Sequence, residues 1–550
     1  MPVIFRLNAR FISLAFIAAC GGETASTTDA TDATATTSES TTSSSANSTE
    51  TTDPTTTTGS TGASECRTDI PDPGCTGDLN GLIFLHPGGD DNNDGKTPKN
   101  PVVTPKKAIE LASACLETCS VVASGGNYAG DTPLISGVNI FGGYAPGTYA
   151  YAPETQETII FQVIADKLTA PVRVHGFTIR GSSFVINDEP AAWTSQYSVW
   201  VRDSPGDFLR LDRCMILPGD ADDGKPGKNG LHGGDGHEGG QGVGTLGGYA
   251  GFSDCGSDGG GGGQGQNGVC GGGQGENGAA GGDATPVGVG GDGGESKCSM
   301  DPIVGCNDKA AAGKAGTSGG TGAHGDGGKT SAATGSFTDA GVWVHEGVVA
   351  TRGRHGGGGG SGGAGGVDVD PMACGGVFNY GGGGGGGGGG GCAGEPGENG
   401  FPGGSSFGIV AIRSTVTVTN SVIRSANGGN GGNGGNGGNG GGGGMGSLIG
   451  GDSDVQGDPG GGSGSGGPGG SGGGGGAGGG GAGGCGGHSL AITRVGDSAV
   501  NLTDTLVEFG APGSGGAGGS GGLQPANKPS QASGGENGCG GIAAEQMSFP

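Results

Sequence analysis

An apolar pattern of eight positions occurs four times along the chain. Aliphatic residues stand at its first, third and last positions, and the copies occupy residues 172–179, 209–216, 416–423 and 500–507. Because side chains alternate along a β-strand, the first two aliphatic residues of each copy share one face. A unit repeated in this way predicts an all-β solenoid, in which stacked turns bury a continuous core.

Short apolar segments precede three of the copies and predict one more strand in each turn. They are Val199-Trp200-Val201, Val410-Ala411-Ile412 and Leu490-Ala491-Ile492. A further copy at 342–349 has an uncertain register. A β-sandwich with glycine-rich linkers is the alternative fold.

Glycine accounts for 147 of the 550 residues and is concentrated in blocks between the copies of the pattern. Within the blocks it recurs at every third position, as from Gly224 to Gly242, and asparagine keeps this period from Asn427 to Asn439. A period of three is typical of an extended left-handed helix with three residues per turn. Two interpretations stay open: the blocks bundle through lateral backbone hydrogen bonds, or they are disordered, because ordering a residue costs about 1–2 kcal/mol.

The segment before the first copy carries several motifs in a defined order. Residues 88–98 read Gly-Gly-Asp-Asp-Asn-Asn-Asp-Gly-Lys-Thr-Pro, and Thr104-Pro105 and a Val-Val-Ala-Ser-Gly-Gly-Asn-Tyr stretch at 121–128 follow. This segment resembles a domain of unknown function that opens many bacterial, pectate-lyase-like proteins. The resemblance implies a right-handed parallel β-helix solenoid. The glycine blocks that alternate with the apolar pattern are then expected to be long loop insertions, and residues 394–403 are collagen-like in sequence. Thr104 is expected to cap a helix that closes one end of the core.

These patterns divide the folded part into alternating segments. Residues 65–218 are expected to hold the end cap and the first turns, and further strands are predicted at 336–352, 405–427 and 488–510. The glycine-rich insertions are 219–335, 353–404 and 428–487, and a glycine-rich tail occupies 511–550. Their composition resembles that of glycine-rich repetitive surface proteins.

The N-terminal residues 1–20 have the features of an export signal, with a basic start and a short apolar run. The run ends at Ile17-Ala18-Ala19-Cys20, which resembles the bacterial lipobox. The resemblance implies that Cys20 carries a lipid and anchors the exported chain to a membrane, and it favours the outer membrane of a Gram-negative-type bacterium. An ordinary secreted protein whose signal ends in cysteine is the alternative.

The remaining composition is polar and acidic. Residues 21–64 are mostly threonine, serine, alanine and acidic residues, which predicts a disordered stalk. The net charge of −27 argues against nucleic acid as a partner, since binding to phosphates needs basic side chains.

Cysteines are expected to form disulfides in an exported protein. Proximity in sequence suggests the pairs Cys66 with Cys75, Cys115 with Cys119, Cys255 with Cys270, Cys298 with Cys306, Cys374 with Cys392, and Cys485 with Cys539. Cys214 is the candidate for an unpaired, buried thiol. Metal binding is less favoured, because the chain has no Cys-x-x-Cys motif.

Two groups of acidic residues are candidates for chemistry. Asp90, Asn92 and Asp94 resemble the start of a calcium loop, although Pro101 stands where such a loop has its chelating glutamate, and an Asx-rich turn is the alternative. No other cofactor is expected. Asp203, Asp207 and Asp212 are weak catalytic candidates, for which solvated strand edges are the alternative. No carboxylate pair of the kind glycoside hydrolysis requires emerges from the pattern.

Together these features predict a lipid-anchored cell-surface protein. The favoured function is a non-enzymatic adhesive module that contacts extracellular matrix, polysaccharide or another surface protein. A polysaccharide lyase or glycoside hydrolase is one alternative, and a purely structural envelope protein is the other.

Overall fold

The structure is a computed structural model. It describes residues 67–117, 119–183, 195–264, 277–281, 287–298, 309–330, 335–337, 343–344, 351–352, 359–364, 368–370, 377–453, 462–525 and 530–550. The chain divides into two units, Met1–Ser64 and Glu65–Pro550, and all described residues belong to the second. The predicted export signal, the lipid attachment residue Cys20 and the stalk lie outside the described residues.

The described residues contain two helices and 23 strands, named here in chain order. The helices are α1 (Pro73–Thr76) and α2 (Pro105–Ser113). The strands are β1 (Leu82–Leu85), β2 (Ser120–Ser124), β3 (Gly126–Pro133), β4 (Ile140–Tyr144), β5 (Thr158–Asp166), β6 (Val172–His175), β7 (Thr178–Arg180), β8 (Ser182–Ser183), β9 (Gln196–Arg202), β10 (Leu209–Asp212), β11 (Met215–Leu217), β12 (Lys297–Cys298), β13 (Ser336–Phe337), β14 (Trp343–Val344), β15 (Asp368–Asp370), β16 (Val377–Asn379), β17 (Ser406–Ile412), β18 (Thr415–Thr419), β19 (Val422–Arg424), β20 (Ser489–Val495), β21 (Ala499–Thr503), β22 (Leu506–Glu508) and β23 (Ala543–Phe549).

The first large sheet contains seven parallel strands in the order β1-β2-β4-β6-β10-β18-β21. Its register follows the apolar pattern, because Val172, Leu209, Val416 and Val500 are Cα partners in successive strands. Equivalent positions of distant copies therefore become direct neighbours.

The second large sheet contains eleven strands, with the main path β22-β19-β11-β7-β5-β9-β17-β20-β23. Strand β3 also pairs with β5, and β8 pairs with β9 in the antiparallel sense. The last aliphatic position of the pattern is in register here, at Ile179, Ile216, Ile423 and Val507. Two small sheets, β12-β15-β16 and β13-β14, complete the described strands.

Aliphatic side chains from both large sheets meet in one core. Leu209 and Val416 of the first sheet and Ile423 of the second have 0% exposed surface. Burying such a side chain contributes about 1.5–3 kcal/mol to folding. Cys214 lies in this core as an unpaired thiol, and its burial raises its pKa to about 12.

Helix α2 packs against β1, β2 and β3 at the N-terminal end of the sheets. The Thr104 side chain accepts a hydrogen bond from the Lys107 backbone N–H at 3.3 Å, which caps the first turn of the helix. Ala108, Ile109 and Ala112 are buried along one face. This end of the core is therefore covered by a helix, as the Thr-Pro motif predicts.

The bends between the two large sheets repeat one backbone conformation. Arg213, Asn420 and Asp504 follow equivalent strands and have φ values of 51°, 49° and 47°. The left-handed conformation costs a residue with a side chain roughly 1–2 kcal/mol. Two of these bends are stabilised by a bond to the next layer, since Arg213 N–H donates to the Thr419 carbonyl and Asn420 N–H donates to the Thr503 carbonyl, both at 3.0 Å.

The glycine-rich segments lie side by side and are joined by backbone hydrogen bonds. Gly435 N–H donates to the Glu398 carbonyl at 2.9 Å, while Gly481 N–H donates to the Gly435 carbonyl at 2.8 Å. Such bonds recur at every third residue along 429–444. Of the two interpretations of these blocks, the described glycine-rich residues follow the bundled one.

The three positions of a Gly-Gly-Asn triplet contact different neighbouring segments. A Cβ on Gly434 would lie 2.0 Å from the Gly481 carbonyl oxygen, and a Cβ on Gly435 would lie 1.9 Å from the Lys228 carbonyl oxygen. The two glycines therefore face two different neighbouring segments. Asn433 faces a third segment, where its side-chain oxygen accepts a hydrogen bond from Ala517 N–H at 2.9 Å. Each position of the triplet therefore serves a different contact.

The predicted all-β right-handed parallel β-helix solenoid is wrong. The described residues form an α/β structure, in which parallel strands make two large sheets and a small helical part covers one end. Helix α2 belongs to the core because its apolar face is buried there. The glycine-rich segments are also not loops extruded into solvent, since their backbone donors and acceptors bond to one another.

Candidate functional site

Asp212 is the last residue of β10, at the edge where the first sheet bends toward the second. It is the Cα partner of His175 on β6 and of Thr419 on β18. Parallel strands in register place these residues in one column, and Asp212 is only 4% exposed. The column therefore brings a buried carboxylate against a buried imidazole.

Four side chains bind the Asp212 carboxylate. Its Oδ2 atom lies 3.0 Å from Nδ1 of His175 and forms an ion pair with the Arg173 guanidinium. Its Oδ1 atom accepts hydrogen bonds from the Thr419 hydroxyl at 2.9 Å and from the Asn420 amide at 3.3 Å. Both oxygens are therefore occupied by protein donors.

These donors determine the protonation state of Asp212. Burial alone raises the pKa of the carboxyl group, but the hydrogen bonds from Arg173, His175, Thr419 and Asn420 outweigh it and hold the pKa well below its usual range. The group is consequently an anion that organises its neighbours, and it has no proton to give to a substrate.

His175 connects Asp212 to Tyr151. Its Nε2 atom lies 3.1 Å from the Tyr151 hydroxyl oxygen. Burial lowers the pKa of His175 even though Asp212 opposes this, so the ring is neutral. A charged carboxylate only accepts hydrogen bonds, so Nδ1 donates to Asp212 and Nε2 accepts the hydroxyl hydrogen of Tyr151. Burial also raises the pKa of Tyr151, which keeps that hydrogen in place.

Residues near the start of the described chain cover this cluster. The guanidinium of Arg67 lies 5.1 Å from the centre of the Tyr151 ring, within cation–π range. Arg67 is paired with Asp69 at 2.6 Å, and the Asp69 carbonyl accepts a hydrogen bond from Arg173 at 2.9 Å. Arg67 thereby covers one face of the Tyr151 ring, while His175 holds its hydroxyl.

A pocket of about 300 Å³ opens beside Tyr151. Its polar wall carries cationic, anionic, amide and hydroxyl groups. The residues that supply these groups include Tyr151, Glu154, Glu157, Thr178, Arg213 and Asn420. Thr178 donates its hydroxyl hydrogen to Glu157 at 2.9 Å, which orients that carboxylate.

Arg213 is the exposed cation of this pocket. Within the described part of the chain its guanidinium makes no ion pair, whereas Arg173, one layer away, is committed to Asp212. Arg213 is therefore available to an incoming ligand.

The other two candidate carboxylates have separate partners. Asp203 accepts a hydrogen bond from Arg413 at 2.7 Å, which lowers its pKa. Asp207 accepts one from the Thr417 hydroxyl at 2.6 Å. In the described part of the chain no hydrogen bond joins either residue to Asp212.

The calcium candidates form local turns. Asp90 accepts hydrogen bonds from the backbone and side-chain nitrogens of Asn92 at 2.9 and 2.8 Å, and Asp94 accepts one from Lys96 N–H at 3.1 Å. Among the described residues no group of three His, Cys, Asp or Glu residues is arranged to hold a metal ion. These contacts match the Asx-turn alternative, and calcium binding stays a prediction.

Three disulfides are defined among the described residues, at Cys115–Cys119, Cys255–Cys392 and Cys485–Cys539. The first and third coincide with pairs suggested by proximity in sequence. The suggested pairs of Cys255 with Cys270 and of Cys374 with Cys392 are wrong, because the packed glycine-rich segments bring Cys255 to Cys392 across 137 residues. Cys75 is disulfide-bonded as well. The predicted partners Cys66, Cys270, Cys306 and Cys374 lie outside the described residues, and the side chain of Cys298 is not described.

Sequence reasoning did not identify His175 or Tyr151. Aligning the apolar patterns places His175 and Asp212 at the same position, which is a signal that could have identified the pair. Tyr151 lies 24 residues before His175 and outside the pattern, so only the folded chain shows this contact.

None of the described helices is long and apolar enough to cross a membrane. Comparison of the chain with protein-family models, with curated proteins and with solved structures gives no match.

Proposed function

We propose that this protein is a lipid-anchored cell-surface module that binds polysaccharide without cleaving it. The observation that carries the proposal is the pocket beside Tyr151, where an aromatic ring stands with an unpaired guanidinium and an amide. Sugars are bound by such combinations, in which a ring packs on the apolar face of the sugar and polar groups bind its hydroxyls.

The chemistry of Asp212 favours binding over cleavage. Glycoside hydrolysis needs one carboxyl group that keeps its proton and a second carboxylate about 5–10 Å away. Asp212 is held as an anion by four donors, so it supplies neither a proton nor a free base. In this proposal it orients His175, and His175 orients Tyr151.

A polysaccharide hydrolase is the second candidate, because the pocket wall contains Glu154 and Glu157. Glu157 is oriented by Thr178, as a catalytic carboxylate would be. Cleavage that depends on both glutamates would favour this candidate.

The anchor belongs to the same proposal. It rests on the lipobox-like ending at Cys20 and on the polar composition of 21–64, which would hold the folded unit away from the membrane. Disulfides in the folded unit agree with an exported protein. Replacing Cys20 with alanine should release the protein from the membrane fraction, and continued retention would contradict the anchor.

Binding is tested with the compact unit Glu65–Pro550 on immobilised polysaccharides of neutral and acidic types. Arg213→Asn should weaken retention, and asparagine suits the left-handed backbone there because Asn420 adopts it in the next layer. Arg413→Asn is the matched control, since Arg413 has a φ of 47° at a different bend, outside the pocket.

Three outcomes distinguish the candidates. Retention that Arg213→Asn weakens and Arg413→Asn leaves unchanged supports the binding module. Release of shortened sugar chains, abolished by Glu154→Gln and Glu157→Gln, supports the hydrolase. Neither retention nor cleavage would support a purely structural role.

A further inference from the structure

Consecutive Asn-Gly pairs run along residues 427–440, and we call them the Asn-Gly row. Their asparagines are Asn427, Asn430, Asn433, Asn436 and Asn439. In such a pair the backbone nitrogen of the glycine can attack the side-chain amide carbon of the asparagine, because glycine has no side chain to hinder the approach. The row therefore concentrates groups that can modify the chain without an enzyme.

One neighbouring segment, residues 511–523, binds both reacting groups of every pair, and we call it the covering segment. The Asn433 side-chain oxygen accepts a hydrogen bond from Ala517 N–H at 2.9 Å, and Gly434 N–H donates to the Ala517 carbonyl at 2.8 Å. The same double contact joins the other pairs of the row to Ala511, Ser514, Ser520 and Leu523.

Both bonds of this double contact oppose the reaction. The attacking nitrogen must give up its proton, but the N–H of Gly434 is committed to the Ala517 carbonyl. The asparagine side chain must also turn toward its own backbone, whereas the bond from Ala517 N–H holds Asn433 across to the covering segment. The pair is therefore unreactive while the covering segment is in place.

The same dipeptide occurs without this contact at Asn80-Gly81. These two residues lie in an exposed turn before β1, and Gly81 has a φ of 69°. No hydrogen bond between described residues engages the Asn80 side chain or the Gly81 N–H. Asn80 is consequently an internal reference for an unprotected pair.

We propose that the Asn-Gly row is a set of deamidation sites, which the covering segment keeps unreactive and which convert irreversibly when that segment separates. In the separated state the glycine nitrogen bonds to the asparagine side-chain carbon and the C–N bond of the side-chain amide breaks. The amide nitrogen takes up the proton of the glycine nitrogen and leaves as ammonia. Water then opens the resulting five-membered imide at either of its two carbonyls, giving aspartate or isoaspartate.

The conversion is one-way because it changes the main chain. Ammonia is lost to solvent, and isoaspartate carries the backbone through the former side-chain carbon, which adds an atom between neighbouring residues. A segment with three residues per turn then loses its register with the segments on either side. A converted row cannot rebind the covering segment as before.

The covering segment is suited to separate locally. Ala517 and Ser520 are exposed, and Leu523 is 54% exposed, so the segment buries few apolar side chains. Segments of this kind open at a lower free energy than the whole fold. Reaction from a rapidly reclosing open state follows the population of that state, so the rate of conversion reports the opening.

The first test is incubation of the compact unit Glu65–Pro550 in mildly alkaline buffer, with peptide mass spectrometry to locate the converted residues. We expect Asn433 to convert at least about tenfold more slowly than Asn80, a factor that corresponds to an opening free energy of about 1.4 kcal/mol. Equal rates at Asn433 and Asn80 would overturn the proposal.

The second test loosens the covering segment. A Cβ on Gly519 would lie under 3.0 Å from the Gly435 carbonyl oxygen, so Gly519→Ala should raise conversion at Asn433 toward the rate at Asn80. Gly540→Ala is the matched control, because a Cβ there meets nothing within 4 Å, and it should leave Asn433 slow. An unchanged circular dichroism spectrum checks that both variants fold.

A third variant removes a single bond. Proline has no N–H and suits a segment with three residues per turn, so Ala517→Pro takes away only the donor to Asn433. Conversion should then rise at Asn433 and stay slow at Asn427, whose donor is Ala511 N–H. Rates at Asn433 that match the parent protein in both Gly519→Ala and Ala517→Pro would show that the covering segment does not protect the row.

Discussion

The Nδ1 atom of His175 lies 3.0 Å from Oδ2 of Asp212, and the two residues are Cα partners on β6 and β10. Both are buried, so their interaction is shielded from water and each residue depends on the other for a hydrogen-bond partner. Through Nε2 of His175 the same pair positions the hydroxyl of Tyr151 at the candidate binding pocket.

Asp212→Asn should lower the free energy of unfolding by about 1–3 kcal/mol, because Arg173 and His175 lose their anionic acceptor in a buried place. Urea denaturation measures the change. Asp207→Asn is the control, since Asp207 makes one exposed hydrogen bond to Thr417, and it should change stability by no more than about 0.5 kcal/mol. Equal effects of the two substitutions would show that the Asp212 cluster is not a special source of stability.

Stability should fall as the pH drops from about 7 to 5, because of His175. Its folded pKa is lowered by burial, while the unfolded value is about 6.5. His175 therefore binds a proton more readily in the unfolded chain than in the folded one. The contribution of the neutral, buried ring to folding stability is complete above the unfolded pKa and is lost as the pH falls below it. Urea midpoints across this range measure the slope, and His175→Gln should flatten it. An equally steep slope in the variant would contradict the assignment to His175.

Gly541→Ala should be destabilising by about 1–3 kcal/mol, whereas Gly540→Ala should not. A Cβ on Gly541 would lie under 3.0 Å from the Gly487 backbone, but one on Gly540 would meet nothing within 4 Å. Gly540→Ala is expected to be neutral or to stabilise slightly by restricting the unfolded chain. Thermal unfolding of the two variants compares them directly, and similar losses would argue against close packing of the glycine-rich segments.

Asn436→Leu should cost about 0.5–1.5 kcal/mol, because the Asn436 side-chain oxygen accepts a hydrogen bond from Ser520 N–H at 2.9 Å. Asn436→Asp keeps an acceptor at the same place and should retain most of the stability. Amide hydrogen exchange at Ser520 provides the local readout, and faster exchange is expected only in the leucine variant. Unchanged exchange there would mean that the side chain does not hold the neighbouring segment.

Peptide mapping without reduction should recover Cys255 linked to Cys392, and not to Cys270. Closing so long a loop restricts the unfolded chain, so Cys255→Ser with Cys392→Ser should lower stability by about 2–4 kcal/mol. A Cys255–Cys270 peptide would contradict the packing of the glycine-rich segments that brings Cys255 to Cys392.

Local patterns identified many of the elements. The copies of the apolar pattern coincide with β6 and β7, β10 and β11, β18 and β19, and β21 and β22. The Thr104 cap and Pro105 mark the start of α2. Such features depend on residues close in sequence, since alternation and helix capping are properties of a few neighbouring residues.

The candidate site depended less on local signals. Asp212 was among the weak candidates, but its partners come from strands far apart in the sequence, and Thr419 reaches it across 207 residues. Asp203 and Asp207 carried the same local signal and have ordinary surface partners. The local sequence could not distinguish the buried Asp212 from the more exposed Asp203 and Asp207, because burial is decided by which strands become neighbours.

The sequence by itself determined the period of the strands, the period of the glycine-rich triplets and the acidic, cysteine-bearing character of the chain, since each follows from residue types at short spacing. Only the tertiary structure decided that parallel strands divide into two large sheets beside a helix, that Cys255 meets Cys392, and that Tyr151 reaches His175. Those relationships join residues distant in the chain, and they are decided by the burial and hydrogen bonding of the whole folded unit.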